Sequence, residues 1–323
     1  MVKANAYGHN MVQTAKALQG HADAFGVATI EEAQLLRSVG IEHPILLAEG
    51  PHQECDAALL DVSNFWPMIH SAQQLEWVLK SSLKCPLWIK FDSGMHRLGF
   101  DQEGTQQTIK KVLSANRTPV LTTHFACADE IDNSLTQVQI ESWKRLQKEF
   151  NCQASAANSA AIVAWPESHA DWNRPGFMLY GASPINGEYS SAALTPVMHF
   201  SSEVIALRQM KSGDCVGYGA TWTADKDSTI ATVAVGYGDG YPRTAKNGTP
   251  VVVEGQRASI VGRVSMDLIS IDVTHLKHVK LGSAVELWGA RLPVNEVAEW
   301  AGTSGYELLT RMPARARREY IGG

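Results

Sequence analysis

The feature that most constrains this chain is an alternation. From residue 24 to about 180, short apolar runs are each followed by a stretch with helical spacing. "AFGVATI" precedes "EEAQLLRSVG", "HPILLAEG" precedes "PHQECDAALL", and "FWPMIHS" precedes "AQQLEWVLKSS". The series continues with "PLWIKFDSG", "TPVLTTHFACAD", "CQASAANS" and "DWNRPGF". Apolar runs of this length between helices predict βα units and a parallel sheet. Seven such strands follow the opening decapeptide "MVKANAYGHN". That decapeptide reads as the exit of one more strand into a loop and a helix, with Met1 and Val2 as its stub. The expectation is an N-terminal (β/α)8 TIM-type barrel whose first strand is truncated at Met1. An open doubly wound sheet would also take seven strands, but no G-x-G-x-x-G follows the first one.

The pattern changes after Pro184. "INGEYSSAALTP" is polar and turn-rich and reads as a linker. Beyond it, "VMHFSSEVIALRQM", "STIATVAVGYGDGYP", "TPVVVEGQRASIVGRVSMDLISIDV" and "SAVELWG" are β-branched runs broken by Gly and Asp, and predict a mainly β domain. The expected division is 1–190 for the barrel and 191–323 for the β domain. A last helix is expected near "PVNEVAEWAG", ending at Gly302.

Charge and cysteine usage narrow the function classes. The net charge of -5 gives no reason to expect nucleic acid or a membrane surface as partner. The one dense basic run, Arg311 to Arg318, reads as a solvated face. Five widely spaced cysteines without a C-x-x-C pair argue against a disulfide framework or a structural zinc site, and fit a reducing cytoplasm. No metal site is expected. No apolar stretch is long enough to span a bilayer.

In a parallel barrel the working residues sit at the C-terminal ends of strands. Those ends carry Lys3 with Tyr7, Lys90 with Arg97, His124, Asn158 with Ser159, and Arg174 with Gly176. Each has an ordinary reading alone: a surface amine for Lys3, a satisfied core residue for His124, a scaffold ion pair for Arg174. Together they offer a Schiff-base former, an aromatic stacker, a phosphate-binding hydroxyl and a fixed cation. Those are the parts needed to hold pyridoxal 5'-phosphate (PLP).

The sequence resembles the alanine racemase family, PLP-dependent enzymes of fold type III. "VKANAYGHN", "KFDSGMHRLG", "HFACADE", "ANSAA", "RPGFMLYG", "VGYGDGYPR" and "IVGRVSMD" are similar to the family's blocks, in order and across nearly the whole chain. The resemblance implies an isomerase that interconverts L- and D-alanine, supplying D-alanine for peptidoglycan. Lys3 then matches the covalent anchor of PLP and Tyr237 the second acid/base. His124 matches the histidine that packs on the cofactor ring and can hydrogen-bond that tyrosine. Arg174 matches the arginine facing the pyridine nitrogen. Since arginine keeps its proton, the ring is a weaker electron sink, which favours racemisation over transamination. Tyr7, Ser159 and the amides of Gly176 and Phe177 match the phosphate contacts, with Asn158 beside them. Arg97 and the Met266 amide match groups that hold the substrate carboxylate. Lys90 matches a lysine carbamylated in many members. Pro313 and Ala314 stand where many members have a tyrosine before the arginine matching Arg315. The resemblance further implies a homodimer in which the segments matching Tyr237 and Met266 reach the other subunit's site. Two rival readings are a racemase of broader amino-acid specificity and a non-catalytic PLP-binding barrel. The latter resembles the barrel alone and lacks the domain that carries Tyr237 and Met266.

Overall fold

The computed structural model describes residues 1–82, 84–188 and 193–322. Six short strands pair in parallel: β1 (Phe25–Val27), β2 (Ile45–Leu47), β3 (Phe65–Ile69), β4 (Leu87–Lys90), β5 (Pro119–Thr122) and β6 (Gln153–Ser155). Their order in the sheet is their order in the chain. A doubly wound sheet reverses its order at a switch point, so this sheet is not one. Helices follow the strands: Ile30–Ser38, Asp56–Val62, Ala72–Lys80, Gln102–Ser114 and Leu135–Phe150. Thr29, Ser71 and Asp101 start three of them, each accepting a backbone N–H from the first turn.

Side chains alternate across a strand, so one face can be followed through the register. Leu46 lies opposite Trp66, Met68 opposite Trp88, Trp88 opposite Val120 and Val120 opposite Gln153. Leu46, Met68, Trp88 and Val120 form one buried cluster, with Trp66 and Trp172 packed against it. Trp172 also donates its indole N–H to Gln153 Oε1 at 3.3 Å. Two residues further along the same face come Lys90, Thr122 and Ser155. An apolar layer rich in tryptophan thus lies beneath a polar one. The opposite face, with Ile45, Phe65, Ile89 and Leu121, is fully buried.

The seventh expected strand, "DWNRPGF", does not form. Residues 171–176 lack strand structure, and Phe177–Tyr180 is a 3-10 turn. The segment still runs beside β6, since Trp172 N donates to Ala154 O and Arg174 N to Ala157 O. Pro175 has no N–H to extend the ladder. The chain start touches both flanks of the sheet: Val2 N donates to Gly26 O in β1, and the Met1 nitrogen to Pro175 O at 2.9 Å.

A second compact unit comprises 180–183 and 188–323; the first comprises 1–179 and 184–187. The 190/191 boundary, and residues 189–192 of the expected linker, lie outside the described residues. In the second unit β7 (Phe200–Met210), β10 (Ser228–Val233), β11 (Pro250–Val253), β12 (Gln256–Ile260), β13 (Ile269–Asp272) and β14 (Ala284–Trp288) close an antiparallel barrel. β8 (Cys215–Val216) and β9 (Trp222–Thr223) form a separate hairpin. The helix Val294–Ala301 ends at Gly302, in the left-handed conformation glycine favours. Among the described residues no helix is long and apolar enough to cross a membrane.

Candidate active site

The residue expected to anchor the cofactor stands on an unusual backbone. Ala4, Asn5, Ala6 and Tyr7 all have φ between 51° and 55°. This is a turn of left-handed helix, not the loop the sequence suggests. Such a conformation costs roughly 1–2 kcal/mol for each non-glycine residue. Specific bonds hold it. Glu32 accepts from Ala4 N at 2.7 Å through one carboxylate oxygen and from Ala28 N at 2.8 Å through the other. Asn5 Oδ1 accepts from Met11 N, and Gly8 closes the turn at φ 84°. Asn10 then caps the helix Met11–Leu18. Glu32 is a supporting residue the sequence reading missed. Its signal was present in "TIEE", the threonine-x-x-glutamate spacing of a helix start.

Arg174 lies at the centre of the polar layer. Its guanidinium donates to Thr122 Oγ1 at 3.1 Å, Ser155 Oγ at 2.5 Å, Thr123 O at 2.6 Å and Ala156 O at 3.1 Å. It also faces His124 Nδ1 at 3.4 Å. Every one of these partners is neutral, and among the described residues Arg174 has no ion pair. Burial lowers its pKa to about 10, which leaves it charged at neutral pH.

Positive charge accumulates around it. Burial pushes His124 well below the usual imidazole range, and the charges of Arg174, Lys90, Arg97 and Lys3 push the same way. A neutral imidazole that accepts at Nδ1 carries its proton on Nε2. Lys90 is lowered to about 7, first by burial and then by Arg174 and Arg97, with Asp92 opposing. Arg97 projects from a loop shaped by Asp92, whose Oδ1 accepts from the amides of Gly94, Met95 and His96. Lys3, Lys90, Arg97, His124 and Arg174 therefore converge, as the strand-end reading expects.

A second group meets beside them. Ser159 Oγ accepts from Gly176 N at 2.8 Å and Met178 N at 3.3 Å. A Cβ on Gly176 would come within 2.5 Å of the Tyr7 hydroxyl, so only glycine lets these elements approach. Burial raises the pKa of Tyr7 and keeps it protonated. The cradle offers hydroxyl donors and a close backbone, the donor set a phosphate monoester needs. Its neighbouring layer offers an amine, an imidazole face and a guanidinium donor. PLP fits this combination. Asn158 acts on the backbone, where its side chain caps the helix Ser159–Ala164 through Ala161 N. The Phe177 ring is buried. Among the described residues no cluster of side chains could hold a metal ion.

In the second unit the structure brings Tyr237 and Met266 together. Tyr237 N donates to Ser265 O and Gly238 N to Met266 O at 2.8 Å. A side chain on Gly236 would collide with the Ser265 and Met266 carbonyls. Arg315 joins the two turns, pairing with Asp239 at 2.9 Å and Asp267 at 2.6 Å. The basic run read as a solvated face thus contains one residue that braces both segments. Tyr237 is 40% exposed and Met266 53%.

Comparison with known proteins follows the same division. The profile described as "Alanine racemase, N-terminal domain" matches residues 1–184, and "Alanine racemase, C-terminal domain" matches 197–320. The alanine racemase of Pseudoalteromonas atlantica is 48% identical over 99% of this chain and 88% of its own length. The crystal structure of biosynthetic alanine racemase from Pseudomonas aeruginosa superposes with a TM-score of 0.95 at 45% identity, covering 99% of this chain and 91% of that one. The alanine racemase of Bartonella henselae, solved with covalently bound pyridoxal phosphate, gives 0.89 at 33% identity, covering 99% and 91%.

The Lys90 environment makes stability depend on pH. Between about 7 and the ordinary value of 10.5 the unfolded chain holds a proton that the folded chain has released. Stability from this group therefore rises with pH across that window, and below it the fold carries a buried cation. In CO2-free buffer, urea midpoints measured at pH 7 and pH 9 should rise more for the parent chain than for Lys90→Met. An identical rise in both would remove Lys90 as the cause.

Proposed function

The chain belongs to the alanine racemase family, and from that premise we infer that it interconverts L-alanine and D-alanine with PLP held in its first unit. The observation that carries this reading is the convergence of Lys3, Lys90, Arg97, His124 and Arg174 above the tryptophan layer, next to the Tyr7–Ser159–Gly176 cradle. PLP, when bound to an amino acid, draws electron density from Cα and makes its proton acidic.

The roles of the side chains follow. Lys3 anchors the cofactor and exchanges the α-proton at Nζ on one face. Tyr237 exchanges it at its hydroxyl on the other. A tyrosine has a usual pKa of about 10, so it needs a donor to its oxygen before it can act as a base. His124 supplies one, because Arg174 faces Nδ1 and leaves the proton on Nε2. Arg174 donates to the ring nitrogen and keeps its own proton. Tyr7, Ser159, Gly176 and Phe177, with Asn158 holding the helix that starts at Ser159, take the phosphate. Arg97 and the Met266 amide hold the substrate carboxylate.

Lys90 has a neutral fraction near pH 7 that can add CO2, releasing one proton and leaving a carbamate anion. That anion would orient Arg97. We assign the chain as a homodimer with shared sites, because Tyr237 and Met266 are exposed on one protomer and braced there by Arg315. Domains of 1–190 and 191–323 divide the labour, the first as the PLP barrel and the second as donor of the second acid/base. The in-order parallel sheet, with the chain start bonded to both of its flanks, supports an eight-stranded (β/α)8 arrangement. Supply of D-alanine for peptidoglycan in the cytoplasm is the role this reading gives the enzyme.

Chiral analysis of L-alanine incubated with the PLP-loaded protein should show D-alanine accumulating to a racemic mixture. Tyr237→Phe should lower that rate by about 10²–10⁴-fold, the usual share of an acid/base group. An unchanged rate would mean that Tyr237 is not the second base. For Lys90, native mass spectrometry in bicarbonate should show the mass of one added CO2, lost on acidification and absent from Lys90→Met. Equal masses in both proteins would exclude the carbamate.

A further inference from the structure

Two loops carry the residues assigned to substrate and cofactor. One follows β4 and bears Arg97; the other follows β5 and bears His124. Gln139, on the helix Leu135–Phe150, is 0% exposed and reaches both. Its side-chain oxygen accepts from Ala126 N at 3.0 Å. Its nitrogen donates to the His124 carbonyl at 3.2 Å and to Ser93 Oγ at 3.1 Å. Ser93 Oγ and Thr123 Oγ1 are 2.7 Å apart, and Thr123 Oγ1 donates to Phe91 O at 3.0 Å. Since Thr123 spends its proton on Phe91, Ser93 must donate to Thr123 and accept from Gln139. The bonds run in one direction from the helix, through both loops, to the end of β4.

Only an amide meets these demands, with one acceptor and two donor hydrogens in a fixed plane. A hydrocarbon would leave the Ala126 amide and the His124 carbonyl without this partner, at a point only partly open to water. A carboxylate would set oxygen against the His124 carbonyl. We propose that Gln139 is a positioning residue, which fixes the spacing between the Arg97 loop and His124 and so sets where substrate carboxylate and cofactor ring meet. The proposal rests on the reading of Arg97 and His124 given above.

The test uses the PLP-loaded enzyme and Gln139→Glu, which keeps the shape and the acceptor for Ala126 but loses both donors. KM for alanine should rise, kcat should fall, and the cofactor absorption band should shift. The combined loss in kcat/KM should be at least about ten-fold, since misplacement by an ångström can cost about a hundred-fold. A purely structural role would lower the melting temperature and leave KM, kcat and the band at parental values; that result overturns the proposal. Ser93→Ala breaks the same chain of bonds without touching the helix, and should raise KM several-fold at nearly unchanged melting temperature. If Gln139→Glu does not fold, a parental KM in Ser93→Ala overturns the proposal instead. Arg97→Ala and His124→Ala separate the two readings. If both behave as the parent, the site assignment fails and the proposal falls with it. If both lose activity while folded Gln139→Glu does not, only the role of Gln139 fails.

Discussion

A guanidinium held in the sheet by neutral partners alone is the constraint on which the site depends. Arg174 is fixed by Thr122, Ser155 and two carbonyls, and lies above a floor of Trp66, Trp88 and Trp172. An uncompensated charge inside a protein is costly. It persists here because both of its terminal nitrogens are hydrogen-bonded, and its charge acts on His124 and Lys90 beside it. Burial lowers both His124 and Lys90 first, and the Arg174 charge adds to it, keeping His124 neutral and helping release the proton of Lys90. The same field suits a ligand that brings a phosphate, a carboxylate and an unprotonated ring nitrogen. Binding and proton chemistry thus have one electrostatic source.

In each unit, the candidate site residues are kept in place by supporting groups. Glu32 holds a left-handed turn that the sequence "ANAY" does not favour by itself. Ser159 gathers two amides of the 176–178 segment. In the second unit, Arg315 ties the Tyr237 turn to the Met266 turn. Its pairs are partly exposed and individually worth little stability, so their effect is geometric: two different connections of the barrel, β10 to β11 and β12 to β13, are held together.

Much of this was legible in the sequence, for physical reasons. Parallel strands buried on both faces read as unbroken apolar runs, so β1 to β5 stand out. The strand-end positions then pointed to Lys3, Lys90, His124 and Arg174, and the second domain showed itself through its β-branched runs. The segment "DWNRPGF" was misread as a strand because it lies along β6 and shares its bonds, although Pro175 interrupts them. The left-handed turn was hidden because tertiary bonds from Glu32 and Asn5, not local preference, impose it. Gln139 was hidden because a glutamine in "TQVQIESW" looks like part of a solvated stripe. Only the fold shows it facing inward.

The proposed function requires the polar layer to present Lys3, and no other amine, to the cofactor's aldehyde. Lys90 is the demanding competitor, since it lies in the same layer and its amine is partly neutral near pH 7. Borohydride reduction of the PLP-loaded protein, followed by peptide mapping, decides between them. The expected result is one pyridoxyl group per chain, on the peptide containing Lys3. A label on Lys90, or one spread over several lysines, would contradict the account.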